Sequence, residues 1–171
     1  MKTIKFLSAL FLVATLASCS SVRVNADYDK KATFTNYKTY AYLKSGIDKA
    51  EISDLDKKRI LYSIEEVMAT KGFTKSENPD VLISIFTKER ERVDIYQNYG
   101  FGWGWNPYWG MGYSNVTTTP EGTLFIDIID AKTKELVWQG EGSGYLTKDT
   151  NKKDARIKEF VSKILEQYPP K

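Results

Sequence analysis

Thr123-Leu124-Phe125-Ile126-Asp127-Ile128-Ile129-Asp130 runs into Ala131-Lys132-Thr133-Lys134 and then into Leu136 to Leu146. In the first arm Leu124, Ile126 and Ile128 alternate with Phe125, Asp127 and Ile129, which is the period of a strand. The four polar and small residues form a turn, and the second arm returns, so the stretch reads as a β-hairpin. On the second arm the alternation puts Leu136, Trp138, Gly140, Gly142 and Gly144 on one face. Beyond Trp138 that face has no side chains, so another element can approach the backbone closely.

Outward from the hairpin, Val81, Ile83 and Ile85 alternate with Leu82, Ser84 and Phe86, and both faces start apolar. This predicts a central strand with something packed on each side. The charged tract Lys88-Glu89-Arg90-Glu91-Arg92 and then Val93 to Tyr96 prolong it out of the core, with opposite charges solvating its outer half. Ser21 to Asp29 alternates as a first strand, and Tyr37 to Leu43 is rich in strand formers. Two helices complete the pattern. Ser53 and Asp56 have capping-box spacing ahead of an apolar stripe of Leu55, Ile60, Leu61, Ile64, Val67 and Met68, which Gly72 ends with a left-handed cap. Ile157, Phe160, Val161, Ile164, Leu165 and Tyr168 form the second stripe, with Asn151 as its cap and Pro169-Pro170 as its stop. The order is strand, strand, helix, long strand, hairpin, helix. It predicts a two-layer α+β domain, a mostly antiparallel sheet with two amphipathic helices on one face.

The N-terminus has a different character. Met1 to Lys5 is short and basic, Phe6 to Leu16 is almost wholly apolar, and Ala17-Ser18 leads into Cys19. That order is a secretory signal. Its apolar run is about half of the roughly 20 residues a spanning helix needs. Leu16-Ala17-Ser18-Cys19 reads as a lipobox, in which the cysteine thiol takes a diacylglyceryl group and a peptidase cuts just before it. Residues 1–18 would be removed, and 19–171 would form a single domain. Two or more acyl chains give stable anchoring where one does not. No acidic residue follows Cys19 directly, so the expected site is the outer membrane, facing the periplasm.

Composition narrows the chemistry. The chain has no histidine and one cysteine, so Ser-His-Asp and Cys-His catalysis and the commonest zinc ligand are absent. With Lys2 and Lys5 removed, the net charge falls from +3 to +1, which does not point to nucleic acid. No cofactor or metal is implied. The remaining enzymatic alternative is a carboxylate-dependent hydrolase of envelope glycan, with Asp127 and Asp130 alongside Asp27 or Asp29 as the only candidates. Asp27 and Asp29 share a face and could also bind a cation, although a solvated strand end accounts for them. Asp130 opens a turn, where aspartate is expected anyway.

Gln97 to Pro120 carries no charged residue and interleaves Tyr99, Phe101, Trp103, Trp105, Tyr108, Trp109 and Tyr113 with five glycines. A loop of this length is commonly functional or without fixed structure. Trp103, Trp105, Tyr108 and Trp109 are the candidate binding residues. Their rings offer a large contact area at low entropic cost to a neutral partner: a glycan face, a lipid surface or another envelope protein. Alternatively the loop covers the sheet, docking on the glycine-lined face beside Trp138.

Several motifs together resemble the bacterial lipoprotein family catalogued as domain of unknown function 4136. They are Tyr28-Asp29 with Phe34 and Tyr37 to Ala41, Lys71-Gly72-Phe73 with Pro79-Asp80-Val81, Gly122 to Thr133 with Leu136 to Gly140, and Ile164-Leu165 with Tyr168-Pro169-Pro170. The family usually has Trp-Arg-Gly where this chain has Trp138-Gln139-Gly140. The resemblance implies an exported α+β lipoprotein domain, and it implies no activity. The reading is thus a membrane-anchored, non-enzymatic binding or structural module held through lipid on Cys19.

Overall fold

The computed structural model of the protein describes residues 22–96 and 115–170, with side chains except at 90–96 and 115–120. Cys19 and residues 97–114, including Trp103, Trp105, Tyr108 and Trp109, lie outside the described residues. The elements in order are β1 (Val22–Tyr28), β2 (Thr39–Tyr42), α1 (Lys44–Asp48), α2 (Asp54–Thr70), β3 (Thr74–Lys75), β4 (Val81–Tyr96), β5 (Asn115–Asp130), β6 (Leu136–Tyr145) and α3 (Thr150–Leu165). The strands form one sheet in the order β1-β6-β5-β4-β2-β3. Its four long strands pair antiparallel, and short β2 joins β4 and β3 in parallel. This is the α+β architecture the pattern predicts.

One buried cluster holds the layers together. Val81, Ile83 and Ile85 of β4 and Leu124, Ile126 and Ile128 of β5 meet Ile60, Ile64 and Met68 of α2 and Phe160, Val161, Ile164 and Leu165 of α3. These are the predicted stripes, except that Leu55 is 63 % exposed in the first turn of α2. Ser53 caps α2 as expected, its Oγ accepting from Asp56 N at 3.1 Å. Gly72 ends the same helix at φ 80°, and Phe73 N donates back to Met68 O at 3.0 Å.

The glycine-lined face of β6 is taken by α3, and not by the aromatic segment. A Cβ on Gly140 would lie 2.5 Å from Ile164 Cγ2, and one on Gly142 would lie 2.7 Å from Ile164 Cγ1. Trp138 is fully buried there against the ring of Tyr168, 5.2 Å between centroids. Leu136 does not share this face. The register shifts between Ile128 and Ile129, which leaves Leu136 half exposed and buries its neighbour Val137.

Other differences are local. Asp149, not Asn151, caps α3, with its carboxylate accepting from Asn151 N at 3.0 Å. The helix ends at Leu165, yet Tyr168 stays buried, so the apolar stripe outlasts the helix. Residues 115–120 are not loop, because β5 already begins at Asn115 and pairs there with β4. The second face of β4 is covered only in part among the described residues. Ser84 is buried against α1, so close that a Cβ on Gly46 would lie 1.9 Å from its Oγ. Phe86 is 44 % exposed beside Phe125, with Lys88 Nζ 5.5 Å from each ring centroid.

If the contact between α3 and β6 sets the layer spacing, Gly140→Val forces the two layers apart. Overpacking of this kind costs about 1–3 kcal/mol. Urea unfolding should show a lower midpoint for the variant, and an unchanged midpoint would remove this contact from the account.

Candidate functional site

Register fixes what lies at each end of the sheet. Val22 sits opposite Gly144, Gly144 opposite Gly122, and Gly122 opposite Glu89. Among the described residues β6 goes one pair further, Tyr145 opposite Glu121, while β4 and β5 continue through Arg90 to Tyr96 and back from Asn115. Those seven further residues of β4 extend about 23 Å at a strand's rise. The chain enters the sheet at Val22, so the N-terminal segment and the outgoing β4–β5 arms leave from the same end.

A cavity of about 380 Å³ opens at this end, between the first turns of the helices and the sheet. Its walls are mainly apolar, built from Ile52, Ile60, Leu124, Leu146, Ile157 and Phe160. Leu146 closes one side by lying over Gly122, where a Cβ would come within 2.7 Å of it. Thr87 contributes a buried Oγ1 with no hydrogen-bond partner among the described residues. Asp56, Lys88, Glu89, Lys148, Lys153 and Arg156 supply the charges.

These charges are largely tied down. Asp56 accepts from Lys153 Nζ at 2.8 Å and from Arg59 Nη1 at 2.8 Å, which staples α2 to α3 at the cavity. Burial works against its ionised form, but the bonds from Lys153, Ser53 and Arg59 outweigh it and hold its carboxyl below the usual range. Arg156 donates from Nε to Tyr145 O at 2.9 Å, pairs with Glu159 at 2.6 Å and lies 4.8 Å over the Phe160 ring. Lys148 has no ion-pair partner among the described residues.

The candidate carboxylates lie elsewhere. Asp130 holds its own turn, accepting from Lys132 N at 2.8 Å, Thr133 N at 2.9 Å and the Tyr37 hydroxyl at 2.9 Å. The Thr133 N–H does most to keep its carboxyl below the ordinary value. Burial, with Asp130 beside it, pushes the Tyr37 hydroxyl up to about 12. Asp29 accepts from Lys31 N at 2.8 Å and Asp27 from Tyr28 N at 2.9 Å, so both serve the local chain. Among the described residues no group of three or more His, Cys, Asp or Glu is placed to hold a metal. The sheet does bring two candidates into one row: Asp27 pairs with Gln139, and Gln139 pairs with Asp127. Two strand spacings put their backbones roughly 9.6 Å apart. Gln139 Nε2 donates to Asp127 Oδ1 at 2.7 Å. This row is on the face away from α2 and α3, the face that α1 covers beside Ser84, and the cavity is on the α2–α3 side.

Sequence reasoning did not find the cavity. Its wall comes from six separate stretches, and only Lys153, Arg156, Ile157 and Phe160 carry a local signal, a basic edge next to an apolar edge on the first turns of one helix.

Burial pushes the Asp127 carboxyl up, partly offset by the Gln139 amide. An aspartate with a raised folded pKa costs stability where it is ionised, and the cost vanishes where both states are protonated. Asp127→Asn should therefore raise the melting temperature at pH 7, with the gain shrinking as pH falls through the raised folded value and gone below about 4, where both states are protonated. Melting curves from pH 3 to pH 8 check this, and a lower melting temperature at pH 7 contradicts it.

No curated protein matches the chain. Among solved structures it resembles a PDZ-domain protein from Parabacteroides distasonis, with 19 % identity and a TM-score of 0.53, over 88 % of this chain and 37 % of that one. The chain thus spans well under half the length of that protein, and the likeness is one of fold. It also aligns with the PelC dodecamer of Paraburkholderia phytofirmans in two crystal forms. One gives 12 % identity and a TM-score of 0.44, over 84 % of this chain and 94 % of that one. The other gives 11 % and 0.45, over 84 % and 95 %. The family model described as domain of unknown function, DUF4136, matches residues 24–170, nearly the whole described chain, and the protein belongs to that family.

Proposed function

We propose that the protein is an envelope lipoprotein, anchored through acyl chains on Cys19, that acts as a non-enzymatic binding or structural module. The support begins with Leu16-Ala17-Ser18-Cys19 behind a basic and then apolar leader. The observation that carries the orientation is the shared level of Val22, Gly144, Gly122 and Glu89. Two residues, Ser20 and Ser21, separate Cys19 from Val22, and the three Cα-to-Cα steps span at most about 11 Å. An anchor so short brings this end of the sheet against the bilayer, and the β4–β5 arms run in the same direction for about 23 Å. The charges of Arg90, Glu91, Arg92 and Asp94 stop where the uncharged, aromatic 97–114 segment begins. Trp and Tyr favour the membrane–water interface. Of the neutral partners that suit Trp103, Trp105, Tyr108 and Trp109, a lipid surface is the one this direction favours. The outer membrane, facing the periplasm, remains the proposed location.

A second reading, a glycan hydrolase, rests on the Asp27–Gln139–Asp127 row and the raised Asp127 carboxyl. Glycosidase carboxyls lie about 5–9.5 Å apart beside a sugar cleft. The row lies on a sheet face, away from the cavity, and this weighs against it.

Fractionation of cells tests the anchoring. Wild type should sediment with outer membranes, and Cys19→Ala should appear in the soluble fraction or stay with its uncleaved leader. Processed Cys19→Ala recovered in the outer membrane as fully as wild type would overturn the proposal.

A further inference from the structure

The cavity at the Val22 end differs in kind from the rest of the surface. It is walled by apolar side chains of α2, α3, β5 and the segments beside them, and it opens at the edge where charges gather. At about 380 Å³ it lies near the lower end of the range for small-molecule sites, roughly 300–1,000 Å³. That size suits one hydrocarbon chain better than two. Apolar walls from Ile52, Ile60, Leu124, Leu146, Ile157 and Phe160 offer no hydrogen bonds, so the part of a ligand lying against them is apolar.

The rim decides the head. Asp56 is already held by Lys153 and Arg59, and Arg156 by Glu159 and the Tyr145 carbonyl. Lys153 spends one donor on Asp56, and an ammonium carries three. Lys148 is exposed and has no ion-pair partner among the described residues. Glu89, exposed on the outgoing strand, is the opposing charge. Two lysines with donors to spare against one acid favour a compact anionic head. The buried Thr87 Oγ1 provides a hydroxyl within the wall.

We propose that this cavity binds a single-chain anionic amphiphile of the fatty-acid or monoacyl-phospholipid class, its chain between α2, α3 and the sheet and its head at Lys148 and Lys153. The proposal stands on the cavity and does not need Cys19 to be acylated. The full chain carrying Cys19→Ala has no acyl group of its own and is the protein to test.

Calorimetric titration with octanoate, decanoate and dodecanoate, below their micelle concentrations, should show affinity rising about fourfold per methylene. It should level off once the cavity is full. Ile157→Trp, which fills the wall, should abolish binding while melting remains cooperative. Lys148→Glu, on the exposed rim, should weaken decanoate at least fivefold and leave decanol unchanged. Lauroyl lysophosphatidylglycerol and dilauroyl-phosphatidylglycerol vesicles separate the sources: a monoacyl ligand binds, and the diacyl vesicle does not compete with it. Absence of dodecanoate binding by the folded protein would overturn the proposal, as would binding undiminished in a folded Ile157→Trp variant. Equal loss of decanoate and decanol in Lys148→Glu would overturn the assignment of the head.

Discussion

The fold depends on how closely α3 can lie against β6. Gly140 and Gly142 leave room for Ile164 to rest on the strand backbone, and either missing Cβ would fall within 3 Å of it. Trp138, two residues before Gly140, is then roofed by Tyr168 from the end of the same helical stripe. Phe34 and Phe73 close on Tyr168 with centroids 5.9 and 5.8 Å away. One helix thereby seals the sheet from Gly142 to the aromatic cluster near Trp138. At the other end the two helices are joined to each other by charge, Lys153 of α3 reaching Asp56 of α2, which Arg59 also holds. The cavity lies at that ion-paired end, between the first turns of α2 and α3 and the sheet.

Much of this was legible in the chain. Alternation in Thr123 to Asp130 and the stripes around Ile64 and Val161 identified the elements that carry the core, because burial on one face imposes a period. Ser53 and Gly72 marked helix ends because their chemistry is local. What escaped was set by partners distant in sequence. Leu136 follows the alternation but is turned out by a register shift beside Ile129. Leu55 fits the stripe, yet it lies in the first turn of α2 beyond the core's reach, 63 % exposed. Asn151 and Asp149 are both cap formers, and only the backbone selects Asp149. The parallel pairing of β2 with β3 and β4 and the short α1 had no pattern long enough to show. The glycine face signalled a close approach correctly, while the identity of the approaching element was not in the local residues. For the cavity the difficulty was greater, since no single stretch holds more than part of its wall.

The sheet's polarity gives these parts a common direction. The chain enters at Val22, β4 and β5 leave past Glu89 and Gly122, and the cavity opens beside them. The anchor proposed at Cys19, three residues before Val22, and strand arms that lead into an uncharged aromatic segment are together consistent with the proposed meeting with a bilayer. The row of Asp27, Gln139 and Asp127 faces away from α2 and α3, on the sheet face that α1 covers in part, and is spatially separate from that end. Binding at the anchor end and any role for the open face are therefore separable by substitution.

The central claim is that the anchor and the aromatic segment meet the same membrane. Three of the four tryptophans, Trp103, Trp105 and Trp109, belong to that segment, and the fourth, Trp138, is buried in the core. Quenching of tryptophan emission by brominated lipids, with the lipidated protein in vesicles, therefore reports on the segment almost alone. The account predicts strong quenching that is lost when Trp103, Trp105 and Trp109 are replaced by phenylalanine. Emission unaffected by brominated lipid, with the protein still bound to the vesicles, would contradict it.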